Sequence, residues 1–387
     1  MVMSKIPLSK IAKYSNKRIH IQNVTVDNFV TTDNLLQNKL GLTRAISLPP
    51  QDGNMPAYVK GNILIGNIRP YLKKIWFADK DGGCSADVLV IDVNDDFDSK
   101  FVYYALFRDD FFIHMMNGSK GTKMPRGDKT QIMNFSIPNF KFDIQQKIAK
   151  VLSTLDAKIE LNNRINKELE AMAKTLYDYW FVQFDFPNVD GKPYKSSGGK
   201  MVYNEELKRE IPEGWEVKKL GKYAEIKRGD LITEKETLEG NVKVVAAGIN
   251  YSYLHSKYNR EKNTITISGS GANAGHINFW REPIFASDCT TIRGQNDIDT
   301  IMILHHLYLL QDYIYSQAKG SAQPHVYPED IKQLYYVIAS EKLIDKYQKI
   351  ILPTNEKIAI NQHEIQHLTQ LRDFLLPMLM NGQVSVK

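Results

Sequence analysis

The segment "DAKIELNN" (Asp156–Asn163) returns almost unchanged as "NEKIAINQ" (Asn355–Gln362), 199 positions later. Both copies have a Lys-Ile pair and an Asn three residues after the Ile. At the same offset "KGTKMP" (Lys120–Pro125) meets "KGSAQP" (Lys319–Pro324) without a gap. Self-similarity at one long offset indicates a duplicated structural unit.

The front of each half also matches, at a slightly larger offset. "LSKIAKY" (Leu8–Tyr14) corresponds to "VKKLGKY" (Val217–Tyr223), whereas the middle matches only in type. "NILIGNIRPY" from Asn62 and "TITISGSGAN" from Thr264 are both apolar strand patterns that run into turns containing Gly and Asn. The pattern predicts one scaffold built twice around two different centres.

Bulk composition limits the class of protein. A chain of 387 residues is too long for one ordinary core, so two or more domains are expected. Hydrophobic residues make up 43% and charged residues 24%, which is typical of a folded soluble protein. The net charge of +6 is compatible with a polyanionic partner.

The sequence has no clear pattern for disulfides, zinc binding, secretion or membrane insertion. Cys84 and Cys289 are the two cysteines and lie in no C-x-x-C pattern, which argues against a disulfide framework or a structural zinc site. The N-terminal residues lack the apolar core of a signal peptide, and the apolar window Ile301–Leu310 is too short to span a bilayer. We therefore expect a cytoplasmic protein with no membrane partner.

Two segments have helical periodicity. From Asp143 to about Trp180 there is no Pro or Gly, which predicts one helix of roughly 55 Å at ~1.5 Å per residue. In the second half Pro353 is expected to break or kink the pattern, leaving a long helix from about Thr354 to Leu376. Matching apolar stripes favour burial of the two helices against each other. If the halves are related by pseudo-two-fold symmetry, the helices are antiparallel and the protein is a dumbbell.

The segment between the halves contains three short motifs. They are "FDFPN" (Phe184–Asn188), "GKPYKSSGG" (Gly191–Gly199) and "IPEGWE" (Ile211–Glu216). Together with the duplicated frame, they make the chain resemble the specificity subunit of type I restriction-modification systems, often called HsdS. The resemblance covers essentially the whole chain.

The resemblance implies an α+β fold in which two target recognition domains are joined by two long antiparallel coiled-coil helices. The implied division is target recognition domain 1 at 1–142, a spacer helix at 143–181, a linker and target recognition domain 2 at 182–340, and a second spacer helix at 341–387. It also implies double-stranded DNA, two methyltransferase (modification) subunits and, through them, restriction subunits as partners. The chain would hold no cofactor, and the complex would use S-adenosylmethionine, ATP and Mg²⁺ through those partners.

Such helices would set the gap between the two parts of a bipartite DNA site. A spacer of roughly 55 Å corresponds to about 16 base pairs at ~3.4 Å each. Asn162 and Asn361 occupy equivalent positions in the apolar stripes, where a polar residue can fix helix register. The alternative is that both are solvated residues at the edge of the stripe. If they face each other, lengthening one helix by a turn should change the gap and leave the bases unchanged.

Sequence motifs of catalysis are missing or incomplete. "SGSGANAG" (Ser268–Gly275) misses the dinucleotide-binding spacing by one residue, and "GSKGTK" (Gly118–Lys123) lacks the phosphate-loop spacing. His305 and His306 lie in an apolar window and are interpreted as ordinary helix residues. Together with the resemblance, this predicts a non-catalytic DNA-recognition subunit. The alternatives are a single-chain DNA methyltransferase or nuclease, and an assembly scaffold without DNA readout.

The strongest DNA-contact candidate of the first half is "SKGTKMPRGDK" (Ser119–Lys129), a Gly- and Pro-containing loop with four cations. Lysines there can bind phosphates while other side chains reach base edges. The candidates in this loop are Lys120, Thr122, Lys123, Arg126 and Lys129. Secondary candidates follow the strand pattern, namely Arg69, Lys73 and Lys74. Each of these residues could equally be an ordinary surface residue.

The equivalent loop of the second half is "AKGSAQPHVYPED" (Ala318–Asp330). Its candidates are Lys319, Ser321, Gln323 and His325, with Asn273 and His276 as secondary candidates after the strand pattern. Gln pairs with adenine and Arg with guanine, so the two loops are expected to prefer different bases.

Overall fold

The computed structural model of the chain describes residues 4–50, 52–318 and 324–386. Two compact units are present: Met1–Leu161 with Glu364–Lys387, and Asn162–His363. Each unit thus holds one half of the repeat and one end of each long helix. The boundaries of these units cut through both helices and so differ from the four segments expected from the resemblance. That division into recognition domains and spacer helices stays a prediction.

Within residues 4–50 and 52–141 the structure has ten strands and three short α-helices before the long helix. The strands are β1 (Lys5–Pro7), β2 (Ala12–Tyr14), β3 (Arg18–His20), β4 (Phe29–Val30), β5 (Asn54–Tyr58), β6 (Ile63–Gly66), β7 (Ile75–Phe77), β8 (Gly82–Cys84), β9 (Val88–Val93) and β10 (Ser136–Pro138). The helices are α1 (Ser99–Leu106), α2 (Asp109–Asn117) and α3 (Lys129–Met133).

An antiparallel sheet of order β2-β9-β6-β7 carries the main core of this unit. β6 is interior because Ile63, Leu64 and Ile65 are apolar without alternation, and all three are fully buried. A second sheet has the order β3-β5-β8-β4, in which β4 and β8 are parallel. α1 begins where the Asp98 carboxylate accepts the Phe101 backbone N–H at 2.8 Å, an N-cap.

The long helices are α4 (Phe142–Tyr177), which continues as a π-helical turn over Asp178–Val182, and α9 (Glu341–Met380). The second unit adds β11 (Met201–Asn204), β12 (Arg209–Pro212), β13 (Glu216–Lys219), β14 (Glu225–Arg228), β15 (Val242–Val245), β16 (Tyr253–His255), β17 (Thr264–Ser268), β18 (Ile277–Trp280), β19 (Ile284–Ala286), β20 (Cys289–Arg293) and β21 (Tyr335–Ile338). Its short helices are α5 (Leu220–Tyr223), α6 (Asp297–Leu309), α7 (Gln311–Ser316) and α8 (Pro328–Lys332).

The two units share one sheet and differ in the other. The order β14-β20-β17-β18 repeats β2-β9-β6-β7, again wholly antiparallel. The second sheet has three strands in the order β16-β15-β19, in which β15 pairs antiparallel with β16 and parallel with β19. The prediction of a common frame with different centres agrees with this topology.

The three motifs between the halves form one aromatic cluster in the second unit. Phe186 stacks on Tyr194 with ring centroids 4.6 Å apart and on Trp215 at 5.4 Å. The Asp185 carboxylate accepts the Ser196 backbone N–H at 2.7 Å and its hydroxyl at 2.6 Å. The hydrogen bonds from Ser196 lower the pKa of Asp185. Each motif therefore contributes to the same local packing, which explains why the three occur together.

The prediction that Pro353 interrupts the second long helix is wrong, because α9 runs unbroken from Glu341 to Met380. Proline lacks the N–H that would bond to the carbonyl of Lys349. Both Pro353 and Lys349 are exposed, so water can satisfy that carbonyl. Ile351 and Ile358 are buried on the other face and hold the helix against the unit's core.

In each unit the two long helices run antiparallel. In the first unit Asp156 pairs with Arg372 at 2.8 Å and Lys158 with Glu364 at 3.5 Å, so positions rise along one helix as they fall along the other. In the second unit Asn361 donates to Asn166 at 2.8 Å. Tyr347 there lies 6.5 Å from Tyr177 between ring centroids. The predicted antiparallel pairing is therefore confirmed.

In each unit an arginine takes part in the contact between the long helices and the globular part, by a different route. In the first unit Asp156 accepts hydrogen bonds from Arg372 at 2.8 Å and from the Tyr104 hydroxyl at 2.5 Å. In the second unit Arg281, which follows β18, donates to Asn355 at 2.7 Å and pairs with Glu170 at 3.2 Å. Asp156 and Asn355 are 199 positions apart, so one repeated helix position serves both anchors.

Candidate nucleic-acid interface

Two candidate loops that are far apart in the sequence lie side by side in the first unit. We call the segment 67–74, after β6, the strand loop, and the segment 119–129, before α3, the helix loop. The backbone N–H of Arg69 donates to the carbonyl of Pro125 at 2.7 Å, and that of Gly127 to Asn67 at 3.1 Å. The helix loop is closed on itself by mutual backbone bonds between Lys120 and Arg126, of 3.0 and 2.9 Å.

The second unit pairs its loops in the same way. Here the strand loop is 269–276, after β17, and the described part of the helix loop is 324–327, before α8. The backbone N–H of Gly271 donates to Pro324 at 3.1 Å, and that of Val326 to Gly269 at 3.2 Å. The strand-loop positions are offset by 202 and the helix-loop positions by 199, so both bonds are equivalent to those of the first unit. The loop pair is therefore an element of the repeated scaffold.

The strand loop makes the same unusual backbone turn in both units. Arg69 has φ 53° and the equivalent Gly271 has φ 74°. This left-handed region is easy for glycine and costs about 1 kcal/mol or more for other residues. Gly127 meets a different constraint, because a Cβ there would lie 2.9 Å from Asn67 Oδ1. A side chain at Gly127 would therefore displace the Asn67 amide, whereas in the second unit Val326 faces Gly269, so the glycine lies on the other loop.

The helix loop of the first unit presents exposed cations. Lys120, Thr122, Lys123, Arg126 and Lys129 are all exposed. Lys120 lies 3.3 Å from Asp128, whose carboxylate also caps α3. The strand loop places Arg69 on the same exposed surface. The structure therefore brings six of the first-half candidates together at the loop pair.

Lys73 and Lys74 are engaged with the fold. Lys73 pairs with Asp109 at 2.9 Å, and the Lys74 amine donates to the carbonyl of Thr32. Burial lowers the pKa of Lys74. These two lysines thus lie in the strand loop but have protein partners.

The described residues of the second loop pair are rich in histidine and tyrosine. His325 stacks on Tyr327, with ring centroids 6.0 Å apart. A ring nitrogen of His276 lies 2.9 Å from the Tyr315 hydroxyl, and Asn273 is exposed in a short 3₁₀ turn. Lys319, Ser321 and Gln323 lie outside the described residues. The two loop pairs therefore present different chemistry on one backbone arrangement.

Sequence reasoning missed an aspartate that lies beside each loop pair. Asp87 immediately precedes β9, and Asp288 immediately precedes β20. The carbonyl of Asp87 accepts the N–H of Asn67 at 2.9 Å, and that of Asp288 accepts the N–H of Gly269 at 3.2 Å. Their offset of 201 lies between those of the two loops, so a gapped self-alignment could have found them.

The spacer asparagines are both buried. Asn361 donates to Asn166, one turn along α4 from Asn162. A register role for Asn162 and Asn361 stays a prediction. The amide contact gives this stretch of the helix pair a specific polar match among buried positions.

Other titratable groups have structural surroundings. Cys84 and Cys289 are buried, and burial raises the pKa of each thiol to about 12. His305 and His306 lie on α6, and burial lowers the pKa of each imidazole to about 4. Among residues 4–50, 52–318 and 324–386, no group of three His, Cys, Asp or Glu side chains could hold a metal ion.

Residues 6–171 and 212–370 match the sequence model of a family described as the type I restriction modification DNA specificity domain. The chain belongs to this family. Both halves of the repeat carry the match, so it is a two-domain specificity protein. No helix in the portion of the chain that the structure describes is long and apolar enough to cross a membrane.

This specificity protein is similar to proteins of several organisms. It is 28% identical to the type I restriction enzyme MjaIX specificity subunit of Methanocaldococcus jannaschii, over 75% of this chain and 70% of the relative. It is 24% identical to the HindI specificity subunit of Haemophilus influenzae, over 92% and 94% of the two chains. The crystal structure of a type I restriction-modification S subunit from M. genitalium has the same fold, with a TM-score of 0.61, 20% identity and coverage of 97% and 96%.

Proposed function

We propose that this chain is the DNA sequence-specificity subunit of a type I restriction-modification system and that each unit reads one half of a bipartite site through its loop pair. The observation that carries the proposal is the repeated backbone pairing of the two loops, which supports different side chains in the two units. A constant support with variable side chains is what two readers of different sequences need.

The two loop pairs would bind DNA through different interactions. Exposed Lys120, Lys123 and Lys129 supply a salt-dependent attraction to phosphates in the first unit. In the second unit His325, His276 and Asn273 offer hydrogen-bonding groups and aromatic faces with less net charge. The expected result is an asymmetric site, in which the second half contributes less of the salt dependence.

Chemistry would come from partners. We propose that the chain binds two modification subunits and, through them, restriction subunits, with double-stranded DNA as the common ligand. It would hold no cofactor, and S-adenosylmethionine, ATP and Mg²⁺ would be used by those partners in the cytoplasm. The paired ends of α4 and α9 in each unit offer regular helical surfaces for such docking.

Mapping of methylated adenines in cells with and without the chain tests this function. The expected result is one split motif that is present only when the chain and its modification subunit are expressed together. Methylation that is independent of the chain, or a motif without a gap, would contradict the proposal. Purified chain with DNA, Mg²⁺ and S-adenosylmethionine should neither cleave nor methylate, which separates it from a single-chain enzyme.

A double variant separates a DNA reader from an assembly scaffold. Lys120→Ala with Lys123→Ala should weaken DNA binding by the assembled complex and reduce the slope of log affinity against log salt by about 1 to 2. Lys60→Ala with Lys80→Ala is the matched control, since both lysines are exposed and lie outside the loop pair. An unchanged salt slope in the first variant would favour the scaffold.

A further inference from the structure

Asp87 and Asp288 occupy one repeated position, and each carboxylate binds an arginine. Asp87 Oδ1 lies 3.0 Å from Nη2 of Arg126 in the helix loop. Asp288 Oδ1 lies 3.3 Å from Nη2 of Arg228, at the end of β14. Asp288 also accepts the Ser270 hydroxyl at 2.5 Å. The two units thus share the aspartate position, whereas the arginine lies in the helix loop of the first unit and at the end of a strand in the second.

Both arginines remain available to a ligand. Their side chains are 59% and 55% exposed, for Arg126 and Arg228 respectively. One terminal nitrogen of each faces the aspartate, and within the described residues Nε and Nη1 have no protein partner. A carboxylate beside one terminal nitrogen limits the directions in which the other donors of the guanidinium can point.

The neighbouring carboxylate also selects among DNA groups. A carboxylate repels phosphate oxygens, so an arginine beside it is a poorer phosphate ligand than Lys123 of the helix loop, which has no ion pair within the described residues. Base edges carry no net charge, and guanine offers two acceptors, O6 and N7, that match two guanidinium donors. The pairing therefore favours a base contact over a backbone contact.

We propose that Asp87 and Asp288 are equivalent positioning residues, holding Arg126 and Arg228 for contact with a guanine in the corresponding half of the split site. The inference rests on the proposed function and deepens it by naming a base and a residue in each half. The position equivalent to Arg126 in the second unit is His325, which is not an arginine. The proposal therefore assigns the guanine contact of that unit to Arg228.

The test uses the complete complex of the chain with its modification subunits, on DNA carrying the mapped motif. Each guanine of the motif is replaced in turn by 7-deazaguanine, which lacks the N7 acceptor. One position in each half of the motif should weaken binding by about tenfold. Arg126→Ala should abolish the sensitivity to one of these positions, and Arg228→Ala the sensitivity to the other.

The aspartates are tested by their effect on discrimination. Asp87→Asn should reduce the preference for guanine over adenine at the Arg126-dependent position by about threefold to tenfold, without weakening binding to unrelated DNA. Combining it with Arg126→Ala should add no further loss of discrimination. Asp288→Asn is expected to act in the same way through Arg228. An exposed pair outside the loops, Arg44 with Asp27 at 2.8 Å, provides the control variants Arg44→Ala and Asp27→Asn.

The outcomes separate the two levels of the proposal. If Arg126→Ala and Arg228→Ala weaken binding uniformly at all positions, the loop pairs touch DNA but the guanine contact is wrong. If Asp87→Asn leaves guanine discrimination at the wild-type level, the positioning role is wrong. If the arginine variants and the Lys120 and Lys123 double variant leave affinity, salt slope and motif unchanged, the loop pairs do not read DNA and the proposed function of these surfaces fails.

Discussion

Where the first unit carries Arg126 in its helix loop, the second unit carries His325 on the same backbone bridge, to Ile68 in one case and to Ser270 in the other. The bonds that join the loops are made by main-chain atoms, so they do not depend on which side chains are present. The helix anchors differ more deeply, because Arg372 comes from a helix and Arg281 from the end of a strand. The comparison shows that the two copies keep the same backbone positions but differ in the charged side chains placed on them.

The largest expected difference between the units is in acid stability. Burial lowers the pKa of His305 and His306 from 6.5 to about 4 in the second unit. The unfolded state binds protons first as pH falls, so stability is fully present above about pH 6.5 and is lost between pH 6.5 and pH 4. At pH 5 the loss should be about 2 kcal/mol for each histidine.

Urea titrations of a Trp76→Phe variant can measure this loss, since Trp180, Trp215 and Trp280 then report the second unit alone. His305→Phe should remove about half of the change between pH 7 and pH 5. Limited proteolysis across the same pH range can follow the unfolding of each unit separately. If both units become equally sensitive to cleavage as the pH falls, the loss of stability does not come from these histidines.

The two anchoring arginines should differ next most strongly. Burial alone would lower the pKa of Arg372, but the hydrogen bond and charge of Asp156 outweigh it and raise the pKa. For Arg281 burial dominates and lowers the pKa despite Glu170. Arg372→Met should therefore cost about 3 kcal/mol. Arg281→Met should cost about 1 kcal/mol, because Glu170 is half exposed and regains water while buried Asn355 loses a hydrogen-bond donor.

Hydrogen exchange at pH 7, followed by mass spectrometry of peptides from each unit, measures the protection of both units in each variant. Protection should fall in the unit that carries Arg372→Met and change little for Arg281→Met. The reverse order would mean that the buried pair of the second unit is a net stabilising contact.

The smallest expected difference is at the left-handed turn of the strand loops. Gly271→Ala should destabilise the second unit by about 1 kcal/mol, because the left-handed backbone is strained with a Cβ and no atom of the described residues lies within 4 Å to clash. Arg69→Gly should stabilise the first unit by about 0.5 kcal/mol, since relief of strain exceeds the added unfolded-chain entropy. Thermal unfolding of each variant checks the opposite signs, and equal signs would refute the equivalence of the two positions.

Sequence periodicity predicted the long helices and the duplicated frame because both depend on local patterns that repeat along the chain. It did not predict the continuity of α9 through Pro353, since tolerance of a proline depends on which face of the helix is buried. It identified candidate cations but not their neighbours: Arg126 meets Asp87 across 39 positions, a contact that only the tertiary fold creates. Lys73 and Lys74 show the same limit, because their partners Asp109 and Thr32 are distant in sequence.

The aromatic cluster of Phe186, Tyr194 and Trp215 has a consequence for dissecting the molecule. The segment that joins the two copies is packed into the second unit, so it is no neutral tether at which a gene can be cut. A half-length fragment that ends near Val182 would expose Trp180 and Phe181, which pack against Tyr347 and Trp215. One that ends between Phe184 and Trp215 would also split the stacked rings. Fragment boundaries for crystallisation or for exchange of halves therefore belong before Ala173, the first residue of this buried cluster.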